Sequence, residues 1–171
     1  RRRLCSGLAR AGCEWVNSHG CDVLEGGMSV IDRTNLNYWF PLIEAAGLPV
    51  PKTAIVEATD VEMDALWRAF DGEQTDFSSL VDRLRSEAYV LGGPPVFIRT
   101  GHTSGKHDWK RTCHVTDLAR LYVHVYNVAE FSACADLPFS TWVVREMLST
   151  TPAFYAFSGR MPIVREFRFF V

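Results

Sequence analysis

The sequence lacks both a long apolar run and an excess of one charge. No stretch reaches the roughly 20 consecutive apolar residues of a membrane-spanning helix, so we expect no membrane partner. The net charge of −2 creates no overall field toward nucleic acid or an anionic bilayer. Apolar residues make up 47% and charged residues 22% of the 171 positions. This composition is typical of an ordinary globular protein with one domain or two small lobes.

The five cysteines include no Cys-x-x-Cys pair. Their odd number and wide spacing argue against a disulfide framework and for a reducing compartment, so we predict a cytoplasmic protein. Cys13, His19 and Cys21 offer only three ligands to a zinc ion. Small buried thiols are therefore the better interpretation of these cysteines.

Hydrophobic periodicity alternates irregularly between the helical and the strand pattern. We expect Asp32 or Thr34 to cap the second helix and Thr116 or Asp117 to cap the fifth. No regular βαβ repeat appears, which indicates an α+β fold. The predicted helices cover 3–17, 36–47, 60–70, 76–91 and 116–135, and the predicted strands cover 52–56, 96–100, 109–115, 140–148, 153–159 and 161–171.

The stretch "VFIRTGHTSGKHDWKRTCHV" combines an apolar strand with a glycine-bearing basic loop. A P-loop is excluded because Gly101 and Gly105 are one residue too close and His107 follows Lys106 where Ser or Thr is needed. The dinucleotide fingerprint G-x-G-x-x-G is absent. We interpret the loop as the tip of a β-hairpin that covers phosphates as a flexible lid. An exposed basic hairpin without a ligand is the alternative.

Two later apolar strands carry charged residues. "WVVREML" contains Arg145 and Glu146, and "REFRFFV" places Glu166 and Arg168 on one face, since positions i and i+2 align on a strand. Charges inside apolar strands are costly unless they are paired or functional. For each of these two pairs of charged residues, a solvated edge strand or a structural ion pair remains the alternative interpretation.

The order of these motifs resembles the ATP-grasp family. In that family a strand with a basic residue precedes a glycine-rich hairpin and a helix, and a linker strand then holds adenine. "VFIRT", "GHTSGKHDW", "WVVREML" and "REFRFFV" follow this order, and "AAGLPVPKTAIV" is similar to the family's entry segment. The likeness is to phage and bacterial members and, more distantly, to a eukaryotic ATP-grasp chaperone that assembles a translation initiation factor.

This resemblance implies two α/β lobes with nucleotide between them. Residues 1–50 would form an N-terminal helical segment and residues 51–140 the small lobe with its hairpin. Residues 141–171 would begin the large lobe, which we expect to be incomplete at Val171.

The resemblance also implies roles for individual residues. Arg99 stands where the family has a lysine on the α-phosphate, and Lys106 would cover the β- and γ-phosphates. Arg168 would face the γ-phosphate or an acyl-phosphate intermediate, so Arg168 and Lys106 are the predicted catalytic residues. Glu146 and Leu148 would hold adenine by backbone groups. The predicted ATP-binding residues are Arg99, Thr100, Gly101, Ser104, Gly105, Lys106, Glu146, Met147, Leu148 and Glu166.

The metal site of the family would hold Mg²⁺ with ATP. In the family the metal ligands usually come on later strands, so we expect them beyond Val171; Glu166 is the acidic candidate within the given sequence. His102, His107 and His114 are spaced poorly for shared ligation on a hairpin, so solvated or phosphate-contacting imidazoles are the better interpretation.

The sequence is compatible with three functions. The resemblance implies an ATP-dependent ligase that activates a carboxylate as an acyl phosphate and joins it to an amine or thiol. The alternative is a non-catalytic, ATP-binding assembly factor with an unidentified protein partner. A nucleic-acid-binding protein would use Trp109 and Tyr126 beside the basic loop, but the net charge argues against it.

Overall fold

The chain divides into two compact units, Arg1–Asp32 and Arg33–Val171. The computed structural model describes residues 31–157 and 161–165, so the elements given below all belong to the second unit. The predicted helix over residues 3–17 lies outside the described residues.

The described elements mix helices and antiparallel strands, which confirms the α+β class. None of the helices in this described part has the length and apolar character needed to cross a membrane. Two short 3₁₀ helices, Lys106–Asp108 and Leu118–Arg120, accompany them. In chain order the elements are α1 (Leu36–Ala45), β1 (Thr53–Glu57), α2 (Asp60–Phe70), α3 (Ser78–Val90), β2 (Val96–Thr100), β3 (His114–Val115), α4 (Leu121–Cys134), β4 (Thr141–Glu146), β5 (Phe154–Ala156) and β6 (Met161–Ile163).

Helix α1 begins at a cap that the sequence analysis placed incorrectly. Asn35, rather than Asp32 or Thr34, is the N-cap: its backbone is extended and its side chain accepts a hydrogen bond from the Asn37 N–H at 3.2 Å. The position next to the first helical residue is the one from which a short side chain can reach that N–H. Gly47 follows the helix at φ +70°, as expected of a glycine past a helix C-terminus.

The cap before α4 is one of the two residues that the sequence predicted for it. The Asp117 carboxylate accepts a hydrogen bond from the Ala119 N–H at 2.9 Å and so opens the 3₁₀ turn that leads into α4. Thr59 and Glu62 form a reciprocal capping box at the start of α2. These contacts satisfy backbone N–H groups that a helix N-terminus leaves without partners.

Strands β1 to β4 form one antiparallel sheet in the order β1-β4-β2-β3. Trp142 of β4 lies opposite Val56 of β1, and Val144 lies opposite Ile98 of β2. Strand β4 is therefore central. Strand β4 begins the segment 141–171 that was predicted as the large lobe. It belongs to the same sheet as β1 and β2, which lie in the predicted small lobe.

The sheet is covered differently on its two faces, because successive side chains of a strand point to opposite sides. One face packs against α2, α3 and α4 and forms the main core, which includes Trp142, Ile98 and Val144. The other face, called here the α1 face, packs Val143 against Leu36 and Phe40 of α1. It is on the α1 face that half-buried polar residues appear.

Strands β5 and β6 form the predicted hairpin, with Phe154 opposite Ile163. Its aromatic side chains Phe154 and Tyr155 are exposed. The imidazole of His107 lies 6.2 Å from the Phe157 ring, between ring centroids, which brings the first 3₁₀ helix close to the end of β5.

Candidate functional site

Arg99 lies on β2, on the α1 face of the sheet, and is half-buried. Its Nε donates to the Thr100 carbonyl at 2.8 Å, and its Nη2 lies 3.4 Å from the Gly101 carbonyl. Burial lowers the pKa of this guanidinium. Among the described residues, no carboxylate forms an ion pair with it.

Arg145 lies on the neighbouring strand β4, opposite Phe97 in the sheet register. Its guanidinium stands over the Phe40 ring, with Cζ 4.9 Å from the ring centroid. Its Nε is buried and has no hydrogen-bond partner in the part of the chain that the structure describes. Burial and the nearby positive charge of Arg99 lower the Arg145 pKa to about 10.

Arg99 and Arg145, called here the arginine pair, are therefore two like charges on one face of adjacent strands. Val143 lies opposite Arg99 and two residues before Arg145, so all three side chains point to the α1 face. The charge of Arg99 makes Arg145 harder to keep ionised, since like charges disfavour the charged form. An anion between them would remove this cost.

The ion pair considered as an alternative for Arg145 and Glu146 does not form. Adjacent strand residues point to opposite faces, and the Glu146 carboxylate instead accepts a hydrogen bond from the Lys52 N–H at 2.7 Å. This leaves the charge of Arg145 uncompensated among the described residues. Arg145 was not among the predicted ATP-binding residues, although its position within the apolar run "WVVREML" marked it as a cation that is paired or functional.

Aromatic side chains border the arginine pair on the β3 side. The Trp109 ring stacks on His114 with ring centroids 5.2 Å apart, and Phe97 packs against Trp109 at 5.7 Å. Burial lowers the His114 pKa, with further contributions from His124 and Lys110. Because apolar rings exclude water, they strengthen electrostatic interactions beside them.

The loop after β2 differs from the open lid that we predicted. Strands β2 and β3 do pair, but over two residue positions only. The Thr112 hydroxyl donates to the Gly105 carbonyl at 2.8 Å and is 2.9 Å from the Asp108 carbonyl. Ser104 and Gly105 are buried. Short-range hydrogen bonds thus fold the loop onto itself in this structure, and its role as a flexible lid stays a prediction.

Gly101 and Thr100 secure the base of this loop. A Cβ on Gly101 would lie 2.0 Å from Oδ1 of Asn35, and the Gly101 carbonyl accepts the Leu36 N–H at 3.1 Å. The Thr100 hydroxyl and N–H are both hydrogen-bonded to Thr103. These two predicted ATP-binding residues have structural roles in the arrangement observed.

Lys106 and Arg99 both influence the Cys113 thiol. Burial raises the pKa of this thiol to about 11, while hydrogen bonds from Thr112 and from the backbone, and then the positive charges of Lys106 and Arg99, partly oppose the increase. Lys106 is exposed on the first 3₁₀ helix, immediately after Gly105, whose backbone has φ +58°. Arg99, near the end of β2, and Lys106 thus belong to the same strand-and-loop segment.

The predicted adenine-binding residues stand at the end of β4. The Glu146 N–H already donates to the Lys52 carbonyl at 3.0 Å. Met147 is half-buried and Leu148 is exposed, so these two have the more accessible positions. Glu166 and Arg168 lie outside the described residues, and their roles stay predictions.

No metal site is evident in the described residues 31–157 and 161–165. They contain no group of three His, Cys, Asp or Glu side chains placed to hold an ion. His107 packs against the Phe131 ring, while His114 stacks on Trp109, so these imidazoles serve different aromatic contacts.

Comparisons with protein-family models, with curated proteins and with solved structures find no match to this chain.

Proposed function

We propose that this protein binds ATP in the manner of the ATP-grasp family. The observation that carries the proposal is that Arg99, near the end of β2, and Lys106, in the first 3₁₀ helix directly after Gly105, stand at the base of and within one glycine-bearing loop. Among the described residues neither cation has a carboxylate partner. Guanidinium and ammonium groups on one loop segment suit the oxygens of a polyphosphate.

The reaction that we propose is carboxylate activation. A carboxylate oxygen attacks the γ-phosphorus of ATP, the bond to the β-phosphate oxygen breaks, and ADP leaves. An amine or thiol then attacks the acyl carbon and releases inorganic phosphate. Arg99 and Lys106 would hold phosphate oxygens and stabilise the charge that develops on them. Arg168 would act on the transferred group.

Magnesium is not assigned a step in this scheme. The residues that the structure describes contain no cluster of three His, Cys, Asp or Glu side chains placed to hold an ion. Mg²⁺ would therefore enter with the nucleotide, held largely by its phosphates and water.

A second candidate is ATP binding without transfer, as in an assembly factor. The packed loop favours it, because ligases commonly close a mobile segment over the phosphates before transfer. Here Thr112 ties the loop to the Gly105 and Asp108 carbonyls.

Isothermal titration of the full chain with ATP and Mg²⁺ tests the binding proposal. Arg99→Ala and Lys106→Ala should each weaken binding about tenfold or more, since each removes a charge-assisted hydrogen bond. Arg120→Ala is the matched control, because this arginine is exposed on the 3₁₀ helix that precedes α4. Absence of heat with the unmodified protein would reject nucleotide binding.

Turnover separates ligase from assembly factor. The protein is incubated with ATP, Mg²⁺, mixed carboxylic acids and hydroxylamine, which converts acyl phosphates to hydroxamates. Hydroxamate formation together with ADP release supports the ligase. ATP binding with neither product supports the assembly factor.

A further inference from the structure

The geometry points to a phosphate-binding site that Arg145 forms with Arg99 on the α1 face of the sheet. This inference rests on the proposed function in that the natural ligand would be a nucleotide polyphosphate. It goes beyond that proposal by placing a phosphate group beside β4, where the sequence predicted contacts with adenine only.

The first argument is placement. Arg99 and Arg145 belong to neighbouring strands and share one face, at positions diagonal to each other in the sheet register. The Phe40 ring supports one side of the Arg145 guanidinium. A planar guanidinium stacked in this way is held in a defined orientation, so its N–H groups point in fixed directions.

The second argument is the supply of unused donors. A guanidinium has five N–H donors. Arg99 uses Nε on the Thr100 carbonyl, with a longer contact from Nη2 to the Gly101 carbonyl, and its other N–H groups remain available. Arg145 donates to no acceptor in the part of the chain described, and its buried Nε is an unsatisfied donor. Such a buried donor is destabilising unless a ligand or water accepts from it.

The third argument is charge. Two adjacent guanidinium groups contribute two positive charges, and the Glu146 carboxylate that follows in sequence faces the other way, toward the Lys52 N–H. A phosphate group carries about −1.5 to −2 charges at neutral pH and offers three oxygens. A single carboxylate would be satisfied by one arginine in a two-pronged contact. The pair therefore suits phosphate better than a carboxylate.

The test measures binding of inorganic tripolyphosphate, pyrophosphate, citrate and ATP to the full chain by isothermal titration. The variants are Arg145→Met, which retains an apolar stem over Phe40 but removes the charge, and Arg145→Lys, which retains the charge but loses the planar fork. Arg120→Ala is again the control. Circular dichroism and thermal unfolding establish that each variant is folded.

We expect Arg145→Met to weaken tripolyphosphate binding by about 10-fold to 100-fold, the range for a lost charge-assisted hydrogen bond. Arg145→Lys should recover part of this loss, and Arg120→Ala should change nothing. Pyrophosphate should follow tripolyphosphate, and citrate should bind more weakly than either.

The outcomes separate this site from the proposed function. Unchanged ATP and tripolyphosphate affinity in Arg145→Met overturns the site while leaving nucleotide binding intact. If tripolyphosphate binding depends on Arg145 but ATP binds no more tightly than tripolyphosphate, the phosphate site is supported and a nucleotide is rejected as its ligand. Citrate binding as tight as tripolyphosphate binding overturns the assignment to phosphate.

Discussion

The Oδ1 atom of Asn35 occupies the position where a side chain on Gly101 would be, 2.0 Å from an ideal Cβ. Asn35 is also the N-cap of α1, and its Nδ2 donates to the Thr141 hydroxyl at 2.9 Å. This one contact joins the start of a helix, the end of β2 and the start of β4. The glycine that suggested a phosphate loop is thus needed for close packing in the structure.

Gly101→Ala should destabilise the protein by about 1–3 kcal/mol, the usual cost of overpacking. In an Asn35→Ala background the cost should fall well below this, because the atoms that would clash are gone. Loss of the cap by Asn35→Ala alone should cost about 1 kcal/mol. Urea unfolding of the four proteins measures the coupling, and strictly additive changes would contradict the contact.

Thr112→Val should loosen the loop that follows β2. It removes the hydroxyl that reaches the Gly105 and Asp108 carbonyls, at a cost of about 1 kcal/mol. Hydrogen exchange should become faster for residues 101–113, with little change in α4. Thr116→Val, at an exposed position, is the control. Exchange in this loop that is already fast in the unmodified protein would argue for the mobile lid instead.

His124 should make the protein less stable in acid. Its ring is buried, and because a carbonyl only accepts, neutral Nδ1–H donates to the Thr112 carbonyl at 2.8 Å. Burial, with the charge of Arg120, lowers the His124 pKa below 6.5, although the Thr112 contact opposes this. The unfolded chain therefore binds a proton that the folded chain resists, and stability decreases as pH falls below about 6.5.

The measurement is the free energy of unfolding between pH 8 and pH 5. His124→Asn retains an amide donor near Nδ1 and should show a weaker decline over this range. The lowered pKa of His114 acts in the same direction, so some decline should remain. Stability that increases on acidification would contradict the buried neutral imidazole.

Cys113 should be far less reactive than Cys134 in the native protein. Cys113 is fully buried, and its thiol has a pKa of about 11, so almost no thiolate exists at pH 8. Cys134 is exposed at the end of α4. Iodoacetamide treatment followed by peptide mass spectrometry should find Cys134 modified first and Cys113 only after denaturation. Equal rates in the native state would show that the loop opens readily.

The sequence predicted the helices and strands well where periodicity and local chemistry agree. Asp117 was one of the two residues predicted as a cap, because side-chain capping depends on residues next to each other in the chain. The cap of α1 was misplaced because four polar residues, 32–35, precede the helix and only the backbone path selects Asn35. The packing of the loop could not be predicted because Thr112 bonds back over seven residues, a contact that composition does not reveal.

By itself the sequence determined the α+β class, the order of elements and the presence of a cationic, glycine-bearing loop after β2. Propensity, hydrophobic period and turn chemistry are local properties, so they can be read along the chain. Only the tertiary structure decided which charges meet. Antiparallel pairing of β2 with β4 brings Arg99 and Arg145 to one face although they are far apart in sequence. The alternation of side chains along β4 turns Glu146 away from that face, which is why a pair of cations stands there without its neighbouring carboxylate.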